Sequence, residues 1–476
     1  MIATKDDALA AVARLESVLA SRANDLVRAD DYYRGKHPLA FASDQFKDAF
    51  GGLFARFSDN WCGVVVDSVA ERLEVTGFRA EDSADADAES WRVWRRAHAD
   101  TDSNLAFIDA LVGARSFALV WGNPDDESVP SITFEHASQV AVEYAPGSRR
   151  KRAAALKLWR EDEAQRANLY TADHVWKFAR PASSLGLVSG GGWMEHQPVG
   201  EPWPLPHPIG DVPVVELQNR PRLAGEPAGE LTSVIPMQDT VNLIWSHLIT
   251  ASDFAAYPQR VVLGTDQPTR PVLNAAGAVV GERDLTPEEL KSFRAGRIQW
   301  LSDPNAKIDE WSAADLSNYV KVIEVAVQHL AAQTKTPPHY LLGQMVNISG
   351  DALAAAEAGL VSKVMERQDY FGDGVLEVMR LAHLAAGNAS LADAVSGGTV
   401  LWRDPQHRTE SEHVDALMKM KALGVPEEAL WERMPGVDQT EIARWKAMRE
   451  DAAARIVGGD LLGVFGPKPE TDLTLA

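Results

Sequence analysis

The sequence predicts an α+β protein built from several parts, and three observations carry that expectation. The hydrophobic period is helical over residues 5–33, changes to two over 116–217, and is helical again over 231–256, 313–333 and 351–386. The 476 residues exceed one ordinary domain, for which about 150 is the usual allowance. Hydrophobic residues make up 45% and charged residues 24%, enough apolar side chains for packed cores and too many for global disorder.

The opening helix is expected from Lys5 to Tyr33, with Leu9, Val12, Leu15 or Glu16, Leu19 and Leu26 near a 3.6-residue period. Gly35 suits a helix C-cap and Pro38 cannot continue the helix. A second helix is expected to start at Asp59 or Asn60, to bury Val65, Val69 and Leu73, and to close before Val75. The acidic run 81–89 reads as a solvated link or a helix start. A Ca²⁺ loop there would need a turn glycine and a distal glutamate at fixed spacing, and the run has no glycine.

Six runs then read as strands of an antiparallel meander: 117–121, 131–134, 140–144, 155–159, 168–170 and 174–178. Residues 180–208, rich in glycine and proline, form a surface excursion before a short strand at 212–215. Helices are expected over 231–256 and 313–333. Between them lies an irregular insert with strand-like runs at 260–263 and 298–301. Thr336-Pro337-Pro338 stops the second of these helices, and a glycine-bounded loop, Gly343 to Gly350, leads into a long helix ending near Ala386. Gly359 and the pair Gly372 and Gly374 are its candidate kinks. A strand at 399–402 and three short helices near 410–422, 426–433 and 438–455 complete the chain, followed by a tail expected to be mobile.

Composition excludes several functions. Asp and Glu number 68 against 47 Lys and Arg, a net charge of −21, whereas a surface that grips phosphates needs clustered cations. The single cysteine, Cys62, precludes an intrachain disulfide and any cysteine-based zinc or iron–sulfur site. No apolar run is long enough to span a bilayer as a helix, and the first residues lack a signal-peptide layout. Catalytic signatures are missing too. The segment 343–350 is glycine-bounded but has no phosphate-loop lysine, and neither a His-Glu-x-x-His pair nor a Gly-x-Ser-x-Gly elbow occurs. A helix-turn-helix reading of the C-terminal trio fails on charge, since residues 410–455 carry ten acidic and seven basic side chains. No catalytic, cofactor-binding or metal-binding residues are therefore expected.

Four stretches give the chain a family likeness. They are Asp59-Asn60-Trp61-Cys62 running into Glu71-Arg72-Leu73-Glu74-Val75-Thr76-Gly77-Phe78-Arg79; Val234-Ile235-Pro236-Met237-Gln238-Asp239; Thr336-Pro337-Pro338-His339-Tyr340-Leu341-Leu342-Gly343; and Asn347-Ile348-Ser349-Gly350-Asp351-Ala352-Leu353 through Glu357-Ala358-Gly359-Leu360. In this order, over roughly residues 5–455, the chain resembles bacteriophage portal proteins of the SPP1-portal-like branch found in tailed phages of actinobacteria. The resemblance implies a portal fold: a β-rich wing over 1–230, stem helices at 231–256 and 313–336, a clip at 257–312, and a tunnel loop at 337–350. A kinked helix and return to the wing would occupy 351–403, a helical crown 404–456 and a mobile tail 457–476.

It further implies a virion protein at the capsid's portal vertex, assembled in the host cytoplasm as a ring of about twelve copies. Double-stranded DNA would pass through it during packaging and ejection without sequence recognition. Partners would be terminase, the major capsid or scaffolding protein, and the head–tail adaptor. Gln344, Met345, Val346, Asn347 and Ile348 are the candidate DNA-facing loop residues, with Lys335 and His339 near them. Arg283, Lys291, Arg294 and Arg297 are candidate clip contacts to DNA or to the motor. The alternative is another non-enzymatic phage neck or minor capsid protein.

Overall fold

Thr4 and Asp7 start the first helix reciprocally. The Asp7 amide donates to Thr4 Oγ1 at 3.2 Å and the Thr4 amide to Asp7 Oδ2 at 3.1 Å. In the computed structural model this helix, α1, runs from Lys5 to Tyr33. The structure describes residues 2–38, 59–81, 83, 86–181, 192–256, 260–264, 266, 269–275, 277–284, 286, 298–305, 315–343, 350–406, 410–434 and 436–465. The chain divides into two compact units. One comprises residues 1–35, 60–235 and 331–476; the other comprises 36–59 and 236–330.

In the first unit α1 turns Ala8, Ala11, Val12, Leu15 and Leu19 onto an antiparallel sheet of β4 (Val140–Tyr144), β5 (Arg152–Glu161), β6 (Ala164–Tyr170) and β7 (His174–Pro181). The sheet answers with alternate residues, Leu156 opposite Leu169 and Leu169 opposite Trp176, all on the buried face. Glu16, within the buried stripe of α1, is 2% exposed. It accepts from Arg180 at 2.5 Å and from Trp193 Nε1 at 3.3 Å, so the charge enters the core only with its partners.

The expected single meander is two sheets. Strand β10 (Val214–Gln218) returns to β2 (Arg115–Trp121), which pairs with β3 (Ser131–Glu135), giving the order β10-β2-β3. Two short strands, β8 (Met194–Glu195) and β9 (Leu205–Pro206), both pair with the edge of β7 that β6 leaves free. Asn60 caps α2 (Trp61–Ala70) by accepting from the Gly63 amide at 3.2 Å. The acidic link does lead to a helix start: Asp87 accepts from Glu89 and Ser90 amides, both at 3.1 Å, and caps α3 (Ala88–Arg96). Helix α4 (Ala99–Gly113) follows. Strand β1 (Val75–Arg79) pairs antiparallel with β15 (Thr399–Trp402), joining opposite ends of the chain.

The chain passes through α5 (Ile235–Ala256) and returns along α6 (Ser317–Thr334). Between these helices the second unit contains a parallel pair, β11 (Arg260–Leu263) with β14 (Ile298–Leu301), as the two strand-like runs anticipate. It also contains a hairpin that the sequence reading missed, β12 (Thr269–Leu273) with β13 (Val279–Asp284). Pro271 hides it, because proline removes a ladder donor and ordinarily argues against a strand. In α5 the Gln238 amide donates to Asp59 O and to Asn242 Oδ1, both at 2.9 Å.

Back in the first unit come α7 (Pro338–Leu342), the 36-residue α8 (Gly350–Ala385), α9 (Ala389–Ser396), α10 (Glu410–Ala422), α11 (Glu427–Trp431) and α12 (Gln439–Phe465). Helix α8 buries Leu360, Val364, Phe371, Val375, Val378 and Met379 at helical spacing. Phe371 stacks on Phe107 of α4 with centroids 5.0 Å apart, and Phe107 meets Trp402 of β15 at 5.6 Å. Helix α12 continues beyond the tail boundary expected at 457. Gly458 and Gly459 cost about 1 kcal/mol each in a helix but remove no backbone donor.

Gly398 places β15 against β1. A Cβ there would stand 2.2 Å from Arg79 O and 3.1 Å from Val395 O, both backbone atoms that no rotamer change can move. Gly398→Ala should therefore lower stability by about 1–3 kcal/mol, read as a shift in the urea midpoint of the purified chain.

Candidate functional site

The glycine-bounded segment is the natural centre of a site in a chain without catalytic motifs, and its two flanks are held by a buried charged cluster. Upstream, α6 ends in a Schellman turn. The Thr336 amide donates to Ala331 O at 3.1 Å while Lys335 takes the left-handed conformation at φ +56°. Pro337 and Pro338 then start α7. Its C-cap is Gly343 at φ +64°, whose amide donates to His339 O at 3.0 Å. Downstream, α8 begins at Gly350, and its first described buried side chain is Glu357.

Arg72, at the end of α2, reaches both flanks. Its Nη2 donates to the Tyr340 hydroxyl at 2.8 Å, and that hydroxyl donates to Glu357 Oε1 at 2.9 Å. Arg72 Nε and Nη1 donate to Pro405 O at 3.1 Å and Ser68 O at 2.8 Å, so a guanidinium with 2% side-chain exposure uses each of its nitrogens. Trp61 Nε1 donates to Leu341 O at 3.2 Å. Burial, with the hydrogen bond to Glu357, pushes the Tyr340 hydroxyl above its ordinary pKa and keeps it a donor.

A second group lies nearly two and nearly three turns further along α8. Lys363 and Arg367, four residues apart on one face, both meet Glu230. Lys363 Nζ stands 2.8 Å from Glu230 Oε2 and donates to Thr334 O at 3.0 Å. Arg367 donates through Nε and Nη2 to Glu230 Oε1 at 2.9 and 2.8 Å, and Asn219 Nδ2 adds a bond at 3.2 Å. All three charged side chains are 4% exposed. Burial opposes ionisation of Glu230, but Lys363 and Arg367 outweigh it and hold its carboxyl at about 2. Burial lowers the Lys363 pKa, with Glu230 acting against that shift.

Ser90, His383 and Asp87 come together as well, but not as a nucleophilic triad. The Ser90 hydroxyl donates to Asp87 Oδ2 at 2.6 Å and lies 2.8 Å from His383 Nε2. The serine is central, whereas a nucleophile needs the histidine between serine and aspartate. Ser90 is fully buried, and burial lowers the His383 pKa, favouring the neutral ring. No group of His, Cys, Asp or Glu able to hold a metal occurs among the described residues.

The candidate residues divide as follows. Gln344, Met345, Val346, Asn347 and Ile348 lie outside the described residues, as do Lys291, Arg294 and Arg297. Lys335 is exposed. His339 is half-buried, edge-on to Tyr340 at 4.6 Å. Arg283 is exposed on β13, directly across from Arg270. What the sequence reading missed is the anchoring set: Arg72, Glu230, Tyr340, Glu357, Lys363 and Arg367. A signal was present, because Arg72, Tyr340 and Glu357 belong to three separate stretches of the family likeness and meet in one cluster.

Comparisons with known proteins give the family. The family model described as "Phage portal protein, SPP1 Gp6-like" matches residues 14–455. The chain belongs to this portal protein family. It is 30% identical over 431 residues to a portal protein of Mycobacterium phage L5 and 31% identical over 432 residues to one of Mycobacterium phage D29. Each alignment covers 86% of this chain and 81% of the relative. More remote likeness is found to chains in two structures of gene transfer agent particles. One is a neck computed with C6 symmetry (TM-score 0.40, 12% identity, 78% of this chain and 88% of the other). The second is a native virion (TM-score 0.34, 12% identity, 76% and 85%). The family is a structural, non-enzymatic one, so this portal protein family member is a structural component of a phage particle. No helix among the described residues is long and apolar enough to cross a membrane.

The charged cluster has a pH signature. Glu230 titrates at about 2 in the fold against an ordinary 4.5. Its contribution is therefore complete above pH 4.5 and is lost as the pH falls through 2, an expected loss of about 3 kcal/mol. Glu230→Gln should flatten that acid limb in urea titrations between pH 5 and 2. At neutral pH it should cost about 3–5 kcal/mol, because Lys363 and Arg367 lose their shared anion.

Proposed function

We propose that the chain assembles into a ring of about twelve copies at the portal vertex and forms the conduit for double-stranded DNA during packaging and ejection. Residues 337–350 act as a tunnel loop between fixed flanks. The observation that carries this reading is family membership over 14–455, joined to the tying of both loop flanks by Arg72, Tyr340 and Glu357. A clamp at both ends lets the intervening segment reposition over a moving duplex without unfolding its supports. Assembly takes place in the host cytoplasm. Terminase and then the head–tail adaptor dock on the clip at 257–312, and the capsid or scaffolding protein contacts the wing. Arg283, Lys291, Arg294 and Arg297 supply the clip's cationic contacts to DNA or the motor.

Charge supports passage rather than grip. Twelve copies at −21 give about −250, a body that repels phosphate wherever its acidic groups approach the channel. Screening over about 10 Å confines this effect to residues near the wall. Tight phosphate contacts would instead release counterions and hold the duplex in place. The uncharged side chains of Gln344, Met345, Val346 and Asn347 suit a loop that follows DNA without gripping it.

Light scattering should give a ring near 620 kDa for about twelve copies of 51.9 kDa; a persistent monomer would count against the conduit. Deleting 344–347 should leave the ring mass unchanged and lower the number of heads that retain a full genome at least tenfold, counted by DNase protection. Normal retention would remove the loop from the mechanism. Arg294→Glu with Arg297→Glu should reduce packaging in vitro while rings still form; unchanged packaging would remove these two residues from the clip contacts.

A further inference from the structure

Four cations on one surface of the first unit have no carboxylate. Arg149 and Lys151 lie in the turn between β4 and β5, Arg220 and Arg222 in the loop that follows β10, and all four are exposed. The two segments meet where Arg149 Nη2 donates to Arg222 O. Arg150, beside them, stands 3.2 Å from Asp373, but with the two side chains 90% and 72% exposed that pair neutralises little. Among the described residues no carboxylate forms an ion pair with Arg149, Lys151, Arg220 or Arg222. The neighbouring carboxylates are already engaged. Glu216 and Glu226 pair with Arg115, and Asp211 and Glu377 with Arg152 and Arg380.

Both segments are tied down. In the turn, Ser148 Oγ accepts from the Lys151 amide at 2.8 Å and from the Arg150 amide at 3.3 Å, while the Ala145 amide donates to Lys151 O at 2.8 Å. At the base of the loop the buried Asn219 donates through Nδ2 to Ala228 O at 2.9 Å, and Glu226 is held by Arg115. Between these ties the chain presents Leu223, next to Arg222, at 93% exposure. Cations and a bare leucine on ordered backbone make a pre-organised surface, on which a partner loses little further loop freedom.

We propose that this surface, formed by Arg149, Arg150, Lys151, Arg220, Arg222 and Leu223, docks an acidic segment of a partner protein, with aspartates or glutamates on either side of an apolar residue. The inference goes beyond the conduit reading, which gives these residues no part, and it does not require the ring. A chain of net charge −21 repels an acidic partner over most of its surface and attracts it here, so the patch supplies direction as well as affinity. Guanidinium forks match carboxylates two bonds at a time. Duplex DNA would also be drawn to these cations, but its phosphate backbone has nothing apolar to set against Leu223. Protein interfaces join an apolar centre to a polar rim, and the leucine beside the arginines offers both.

The test uses the full-length chain and a fluorescein-labelled peptide, Asp-Glu-Asp-Leu-Glu-Asp-Glu, followed by fluorescence anisotropy at low salt. Lys151→Glu with Arg222→Glu should raise the Kd at least about tenfold, and Arg222→Glu alone about fivefold. Arg160→Glu makes the same change of charge on an exposed arginine at the other end of β5, and should raise it less than about twofold. Leu223→Ser should weaken binding of this peptide about threefold and leave unchanged the binding of a peptide with serine in place of leucine. All these substitutions are of exposed side chains, and a wild-type urea midpoint checks that the fold is kept. A wild-type chain that does not bind the peptide overturns the proposal, as do charge variants that bind it like wild type or an Arg160→Glu protein that loses it equally. A duplex of about 20 base pairs that binds wild type, is lost from the double variant and is not displaced by the peptide would overturn it in favour of nucleic acid.

Discussion

One carboxylate shared by two cations is the constraint on which the middle of the protein depends. Glu230 lies just before α5, Lys363 and Arg367 lie on α8, and the Thr334 carbonyl that Lys363 also engages ends α6. Burying three charges is expensive, and an apolar replacement of equal volume would often be as stable or more so. Ions add direction. A leucine cluster tolerates a helix sliding by part of a turn, but a bidentate guanidinium and an ammonium on one carboxylate fix α8 to one register. Arg72 applies the same logic one layer away, with Tyr340 and Glu357 as its polar partners.

The C-terminal half of α8 is secured similarly. Arg380 stands 2.5 Å from Asp211 and 2.6 Å from Glu377, while Arg152 of β5 reaches both carboxylates. Arg380 is held above its ordinary pKa, chiefly by its hydrogen bond to Glu377. Anchors thus fall at 357, 363, 367, 377 and 380. Toward its N-terminus the described anchors of α8 end at Glu357, which the Tyr340 hydroxyl meets from α7. The buried charges thus fix the register of α8 along most of its length.

Local regularity made much of this fold legible in the sequence. Helix α1 announces itself through Val12, Leu15 and Leu19, α2 through the Asn60 cap, and β5–β7 through short apolar runs with a period near two. Long-range pairing did not show. Nothing local in Val214–Gln218 tells it to join β2 rather than extend the other sheet, and Val75–Arg79 finds Thr399–Trp402 only in three dimensions. The anchors were hidden for a related reason: Lys363 and Arg367 on an amphipathic helix look like a solvated face until Glu230, more than a hundred residues away, meets them. The family likeness marked Arg72, Tyr340 and Glu357 by position but could not give their common role.

The conduit proposed above would make unusual demands on such a chain. An enzyme concentrates polarised groups where a substrate stops, whereas a channel must avoid offering its cargo any stopping place. The protein is acidic overall, and three cations of the first unit are turned inward: Arg72, Lys363 and Arg367 are paired with Glu230, Glu357 and backbone carbonyls. A cation so paired has little field left for a passing phosphate, since a neighbouring carboxylate cancels most of it within a Debye length. The same pairing that fixes α8 therefore keeps those positive charges from a polyanion. Structural order and the withdrawal of these three cations from the surface follow from a single placement of charge.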